Sequence, residues 1–153
     1  MTTTWSLRSA TPRDAEWMAD LKATVMRADL ERLGYWDHDW ARQRFLDTYV
    51  PANTNVILVD GDVAGCIAVR AEPDALWIEH FYLRPEFQGH GLGGHVLRHV
   101  MTLRQDGRPF KLAVNRGSGA RGLYERHGFV YQYDDTNGVD QIFSTPPEDD
   151  PDA

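Results

Sequence analysis

Residues 56–94 carry three short apolar runs, each closed by a turn signal, and the third leads into a glycine-rich loop that opens a helix. Val56 to Val59 is the first run. Asp60-Gly61 follows, a dipeptide suited to a two-residue hairpin because both positions tolerate positive φ. Residues 63–69 form the partner run. Glu72-Pro73-Asp74 makes the next turn, and residues 76–83 the third run. This is the pattern of a three-stranded antiparallel meander. After it, Leu92, Val96, Leu97, Val100 and Met101 recur at helical spacing, with Gly107 placed to end that helix. A sheet that meanders and then meets a helix through a glycine loop calls for a mixed sheet with helices packed on it.

The flanking segments fill in the order. Residues 4–10 suit a strand. Thr11-Pro12-Arg13-Asp14 matches a capping box with Pro12 at the first helical position, so a helix is expected from about Pro12 to just before Gly34. Asp37 can cap a second helix carrying Trp40, Phe45 and Tyr49 and ending near Pro51. Downstream, residues 110–114 read as a strand, 118–127 as a helix ended by Gly128, and 129–133 and 139–143 as strands. The fold class is therefore α+β, a mixed sheet with about four helices.

The chain has 153 residues, which suits one domain, expected over residues 1–145. Residues 146–153 are rich in Pro, Glu and Asp and read as a disordered acidic tail. The formal net charge is −7, and Glu148, Asp149, Asp150 and Asp152 supply four of those charges. Nothing resembles the basic footprint of a nucleic-acid binder. Cys66 is the only cysteine, so an intrachain disulfide is impossible, which fits a reducing compartment. No apolar stretch has the length of a membrane span or of a signal peptide, and a cytoplasmic protein is expected.

The loop reads Gln88-Gly89-His90-Gly91-Leu92-Gly93-Gly94. Glycines let backbone approach a ligand closely, and the helix that follows directs unpaired N–H groups and a positive dipole end at it. This is an anion site that needs few lysines. Gly89-x-Gly91-x-x-Gly94 also fits the dinucleotide fingerprint, but that loop follows the first strand of a βαβ unit, whereas here it follows a meander. A nucleoside-triphosphate P-loop would need Lys-Ser or Lys-Thr after the glycines, and neither is there.

A third reading accounts for more residues. The run Leu83-Arg84-Pro85-Glu86-Phe87-Gln88-Gly89-His90-Gly91-Leu92-Gly93 resembles the cofactor motif of the GNAT acetyltransferase family. The family's second mark is a strand followed by a Leu-Tyr-x-x-x-Gly-Phe run. Here that is Leu112-Ala113-Val114, then Ser118 through Leu123-Tyr124-Glu125-Arg126-His127-Gly128-Phe129. The resemblance covers residues 56–143; the first 50 match only in element order. Gln88 stands where many members carry Arg, and Ser118 where many carry Asn.

The resemblance implies a GNAT-like fold with splayed parallel strands at residues 76–83 and 110–114, and acetyl-CoA lying in the V between them. It implies cofactor contacts from Phe81, Leu83, Gln88, Gly89, His90, Gly91, Leu92, Gly93, Gly94 and Ser118. The family reaction is direct attack of an amine on the bound thioester. An alkyl amine has a pKa near 10, so only roughly one molecule in a thousand is neutral at pH 7 and a base is needed. Glu79 is the candidate base, acting through water. His80, its neighbour, points to the other face unless the strand carries a bulge. Tyr124 aligns with the tyrosine that donates to the leaving sulfur.

The segment before the meander roofs the acceptor pocket in this family. Trp36 and Asp37 are the candidate acceptor contacts, since aromatic faces beside carboxylates suit a cationic amine. Arg27 and Arg32 could instead neutralise the acids of that segment on a solvated face. The acceptor is expected to be an amine of a small molecule or peptide, with no metal, nucleic acid or membrane involved. Family members often form homodimers. His95 and His99 lie four apart, a spacing that can bind metal, but they fall off the apolar stripe and read as a solvated face. The rival reading is a non-catalytic domain that binds acyl-CoA as a sensor.

Overall fold

In the computed structural model the described residues are 4–103 and 106–146. They pack as two compact units: Met1–Val69 with Glu79–Gln88, and Arg70–Ile78 with Gly89–Ala153. The expected tail falls, from residue 147 on, outside the described residues.

The first unit begins with β1 (Trp5–Ser9), antiparallel to β2 (Thr54–Val59), which pairs antiparallel with β3 (Asp62–Ala71). Asp60 and Gly61 turn the β2–β3 hairpin at φ 50° and 86°. The expected capping box forms: the Thr11 N–H donates to Asp14 Oδ2 at 2.9 Å. A single 3-10 turn, Pro12–Asp14, comes first, and α1 runs Ala15–Leu33 to a left-handed Gly34. Asp14 is buried, and Arg8 and Trp17 donate to it at 3.0 and 2.8 Å. The Arg8 hydrogen bond holds its carboxyl well below the usual range. Helix α2 (His38–Thr48) starts where Asp37 Oδ1 accepts the Trp40 N–H at 2.9 Å. Met18, Phe45, Val56, Cys66 and Tyr82 meet in this unit's core.

Strand β4 (Leu76–Leu83) contributes Leu76–Ile78 to the second unit and its remainder to the first. In the second unit it runs parallel to β5 (Phe110–Asn115), with Leu76↔Phe110 and Trp77↔Lys111 in register. Strand β5 pairs antiparallel with β7 (Asp140–Ser144), and β7 with β6 (Val130–Asp134). The strand order therefore reads β1-β2-β3-β4-β5-β7-β6. Helix α3 (Leu92–Leu103) buries Val96, Leu97 and Val100, the centre of its apolar stripe, and leaves His95 and His99 exposed. Helix α4 is short, Arg121–Arg126.

The α+β class and mixed sheet hold, and β4 has the expected bounds. Two details differ. Helix α4 starts three residues later than expected because the Ser118 hydroxyl accepts the Ala120 N–H at 3.2 Å, which makes residues 118–120 a turn. Strands β6 and β7 each begin one residue later. Phe129 is almost fully buried ahead of β6, whose five residues are all exposed. Among the described residues no helix is long and apolar enough to cross a membrane, and no three His, Cys, Asp or Glu side chains cluster as metal ligands.

Candidate active site

The glycine loop belongs to the second unit from Gly89 onward. Gly89 and Gly91 adopt φ 80° and 83°, a region other residues enter at a cost, and a Cβ at either would meet nothing within 4 Å. The cradle is thus open, and its glycines are required by backbone shape. The His95 N–H reaches the Gly91 carbonyl at 3.3 Å, an i→i−4 helical bond. The N–H groups of Leu92, Gly93 and Gly94 precede it and have no intrahelical acceptor. With the dipole's positive end they make a site for an anion. His90 is exposed and Leu92 half-buried.

Gly94 has a separate role. A Cβ there would stand 3.3 Å from Cε1 of His127. The Nδ1 of His127 lies 2.8 Å from the Leu123 carbonyl, so Nδ1 carries the proton. Its Nε2 is buried, and no partner is found for it among the described residues. Nothing in the sequence spacing signals a buried ring nitrogen of His127 beside the loop.

Tyr124 lies on α4 in the same unit, its ring edge-on to Phe129 at 5.9 Å. Burial pushes its phenol up to about 12, so it stays protonated throughout the physiological range. Ser118 sits in the turn before α4 with its hydroxyl engaged by the Ala120 N–H. Asn115 ends β5.

The remaining candidates lie in the first unit. Glu79, Phe81 and Leu83 are half-buried on β4. Gln88 donates its side-chain amide to the Leu83 carbonyl at 2.9 Å, so it closes the turn after β4. Between Glu79 and Phe81 the strand kinks: His80 has φ 48°. Cys66, read from sequence as a plain strand residue, donates its Sγ–H to the His80 carbonyl at 3.2 Å. Burial pushes that thiol up to about 12, so it stays protonated at neutral pH.

The acceptor candidates are already engaged. Asp37 caps α2, and the Arg27 guanidinium covers the Trp36 ring at 5.3 Å. Arg44 covers Trp40 at 4.9 Å. Arg27 pairs with Glu31 at 2.7 Å and Arg32 with Asp29 at 3.1 Å. The arginines do here what the solvated-face alternative required of them.

Known proteins share this architecture. PaiA N-acetyltransferase from Thermoplasma acidophilum, solved in complex with coenzyme A, superposes with a TM-score of 0.74 at 15% identity, covering 93% of this chain and 98% of that one. The ribosomal-protein-S18-alanine N-acetyltransferase of Escherichia coli gives 0.68 at 19% identity, covering 96% of each chain. An N-acetyltransferase from Staphylococcus aureus Mu50 gives 0.70 at 17% identity, covering 92% of this chain and 100% of that one. At such identities the likeness is one of fold. No curated protein sequence matches the chain. Residues 51–131 match the family profile described as acetyltransferase (GNAT) domain. That span takes in the meander, the glycine loop and the Tyr124 helix, and with it the chain belongs to the GNAT acetyltransferase family.

Proposed function

We propose that the protein transfers an acetyl group from acetyl-CoA to an amine by direct attack in a ternary complex. The observation that carries this reading is the loop: two glycines at positive φ with open space around them lead into the N-terminus of α3, whose first N–H groups have no acceptor within the helix, a cradle suited to a pyrophosphate. Coenzyme A is bound in the solved structure of the Thermoplasma acidophilum neighbour and in others of this fold.

The residues present fit that group. Gly89 to Gly94 would hold its pyrophosphate, with Ser118 beside α4 as a further polar contact. When bound, the coenzyme supplies an activated acyl group as a thioester. Backbone N–H groups from Phe81 to Leu83 donate toward the acyl oxygen as it gains charge. Glu79 takes the proton of the incoming ammonium through a water. Tyr124 donates to the departing sulfur. An ordinary thiol has a pKa of about 8.5, below that of this phenol, so Tyr124 acts as a hydrogen-bond donor more than as a full proton source.

The acceptor is proposed to be a small-molecule or peptide amine reaching Trp36 and Asp37. There it competes with Arg27 for the aromatic face, so acceptors with a second positive charge are favoured. A cytoplasmic location belongs to the same proposal. The test is CoA release from acetyl-CoA across a panel of amines. Release that depends on an added amine supports the enzyme. Tight CoA binding with no release from any amine supports a sensor instead. Acidic or neutral acceptors outperforming every diamine would reject the Trp36–Asp37 assignment alone.

A further inference from the structure

The kink at His80 needs an explanation that the reaction chemistry does not give. Two non-glycine residues among those described have positive φ, Asp60 and His80. Asp60 sits in a hairpin turn, where positive φ is expected. His80 sits in the middle of β4, where a left-handed residue is strained and persists only if its surroundings hold it there.

Two restraints act on it, both within the first unit. The side chain is held by α2. His80 Nε2 lies 3.0 Å from Thr48 Oγ1. The Thr48 hydroxyl donates to the Arg44 carbonyl at 3.1 Å, so its oxygen accepts from His80 Nε2–H. The ring meets Phe45 edge-on at 4.6 Å. Burial, with Lys22 nearby, lowers the imidazole to about 4, so the ring is neutral at pH 7.

The backbone is held by β3. The His80 carbonyl accepts from the Cys66 side chain at 3.2 Å, a donor that stays protonated. Just before it, a Cβ on Gly65 would stand 2.0 Å from the Tyr82 carbonyl oxygen. Only glycine allows β3 to lie so close to the kinked strand. Backbone bonding is in place beyond the kink, where the Arg84 N–H meets the Ala64 carbonyl at 2.8 Å.

We infer that His80 is a positioning residue, gripped by Thr48 on α2 and by Cys66 on β3, which sets the backbone of Phe81 to Leu83. The inference rests on the proposed function in one respect: those are the amides said to serve the acyl group. A change that releases either grip should loosen them selectively.

The experiment is amide hydrogen exchange by NMR on the full chain, alongside turnover and acetyl-CoA affinity. Thr48→Val and Cys66→Ala should each speed exchange at Phe81, Tyr82 and Leu83 by about tenfold while the α1 amides near Met18 keep their wild-type rates. Turnover should fall by about tenfold with acetyl-CoA affinity changed less than about threefold. Cys66→Ser keeps a donor and should restore both. Unchanged exchange at residues 81–83, or an equal rise throughout α1, overturns the inference, because the contacts would then be ordinary core packing. Wild-type protein that releases no CoA would sink the proposed function, and the exchange result would still decide whether His80 sets this backbone.

Discussion

Gly94 and His127 share one space: a Cβ added at Gly94 would stand 3.3 Å from Cε1 and 3.5 Å from Nε2 of the ring. The ring cannot easily retreat, because its Nδ1 is tied to the Leu123 carbonyl. Gly94→Val should therefore destabilise the fold by about 1–3 kcal/mol, as overpacking does. Adding His127→Ala should return part of that loss, a coupling of about 1 kcal/mol in a double-mutant cycle followed by urea denaturation. Strict additivity would show that the two residues do not compete for this space.

Gly91 tests the loop without touching a packed neighbour. At φ 83° with open space around it, a β-branched residue strains only the backbone. Gly91→Val should leave the protein folded and weaken acetyl-CoA binding by about tenfold or more in calorimetry. Wild-type affinity in that variant would remove the basis for the pyrophosphate site.

Tyr124→Phe keeps the edge-on contact with Phe129 and loses the hydroxyl. Turnover should drop by about tenfold or more with little change in acetyl-CoA affinity. Because burial holds the phenol near 12, the wild-type pH–rate profile should show no loss from Tyr124 ionisation up to about pH 10. Full activity in the Phe variant would reduce Tyr124 to a packing residue.

Glu79→Gln separates a base from a structural carboxylate. As base, its loss should cut turnover most near neutral pH and recover in part toward pH 10, where the amine deprotonates unaided. A uniform small loss at every pH would remove Glu79 from the chemistry.

His80 makes stability depend on pH in a defined window. Its folded value is about 4 against an ordinary 6.5, chiefly because burial disfavours the cation. The unfolded chain then takes up the proton first. The contribution is complete above pH 6.5 and is lost as pH falls from there toward 4, by roughly 3 kcal/mol at most. Asp14, held low by Arg8, begins to lose its own contribution only below its ordinary 3.8, so the two windows separate. His80→Phe should flatten stability between pH 6.5 and 4, measured by thermal melts; an unchanged slope would place the titration elsewhere.

Local signals in the sequence carried most of the architecture. The capping box at Thr11–Asp14, the Asp37 cap and the Asp60-Gly61 turn are each set by neighbours within a few residues, and each formed. Strand β4 was bounded correctly because Pro73 and Pro85 fence it on either side. What escaped the sequence was set at a distance. The His80 kink depends on Cys66 and Thr48, residues 14 and 32 positions away. The placing of the Arg27 guanidinium over the Trp36 ring turns on which of several partners a long side chain finds once folded. The orphaned nitrogen of His127 is visible only once α4 packs beside Gly94.

The strand order β5-β7-β6 carries a consequence for how the polypeptide is made. Every residue of the first unit has been synthesised by Gln88, so that unit can collapse while translation continues. The second unit cannot close its sheet on the same schedule. Its last strand in sequence, Asp140–Ser144, is the one inserted between the other two, and until the ribosome has released it, β5 and β6 each lack their common neighbour. During that interval β5 and β6 each keep an edge unpaired, so the second unit is the later of the two to form.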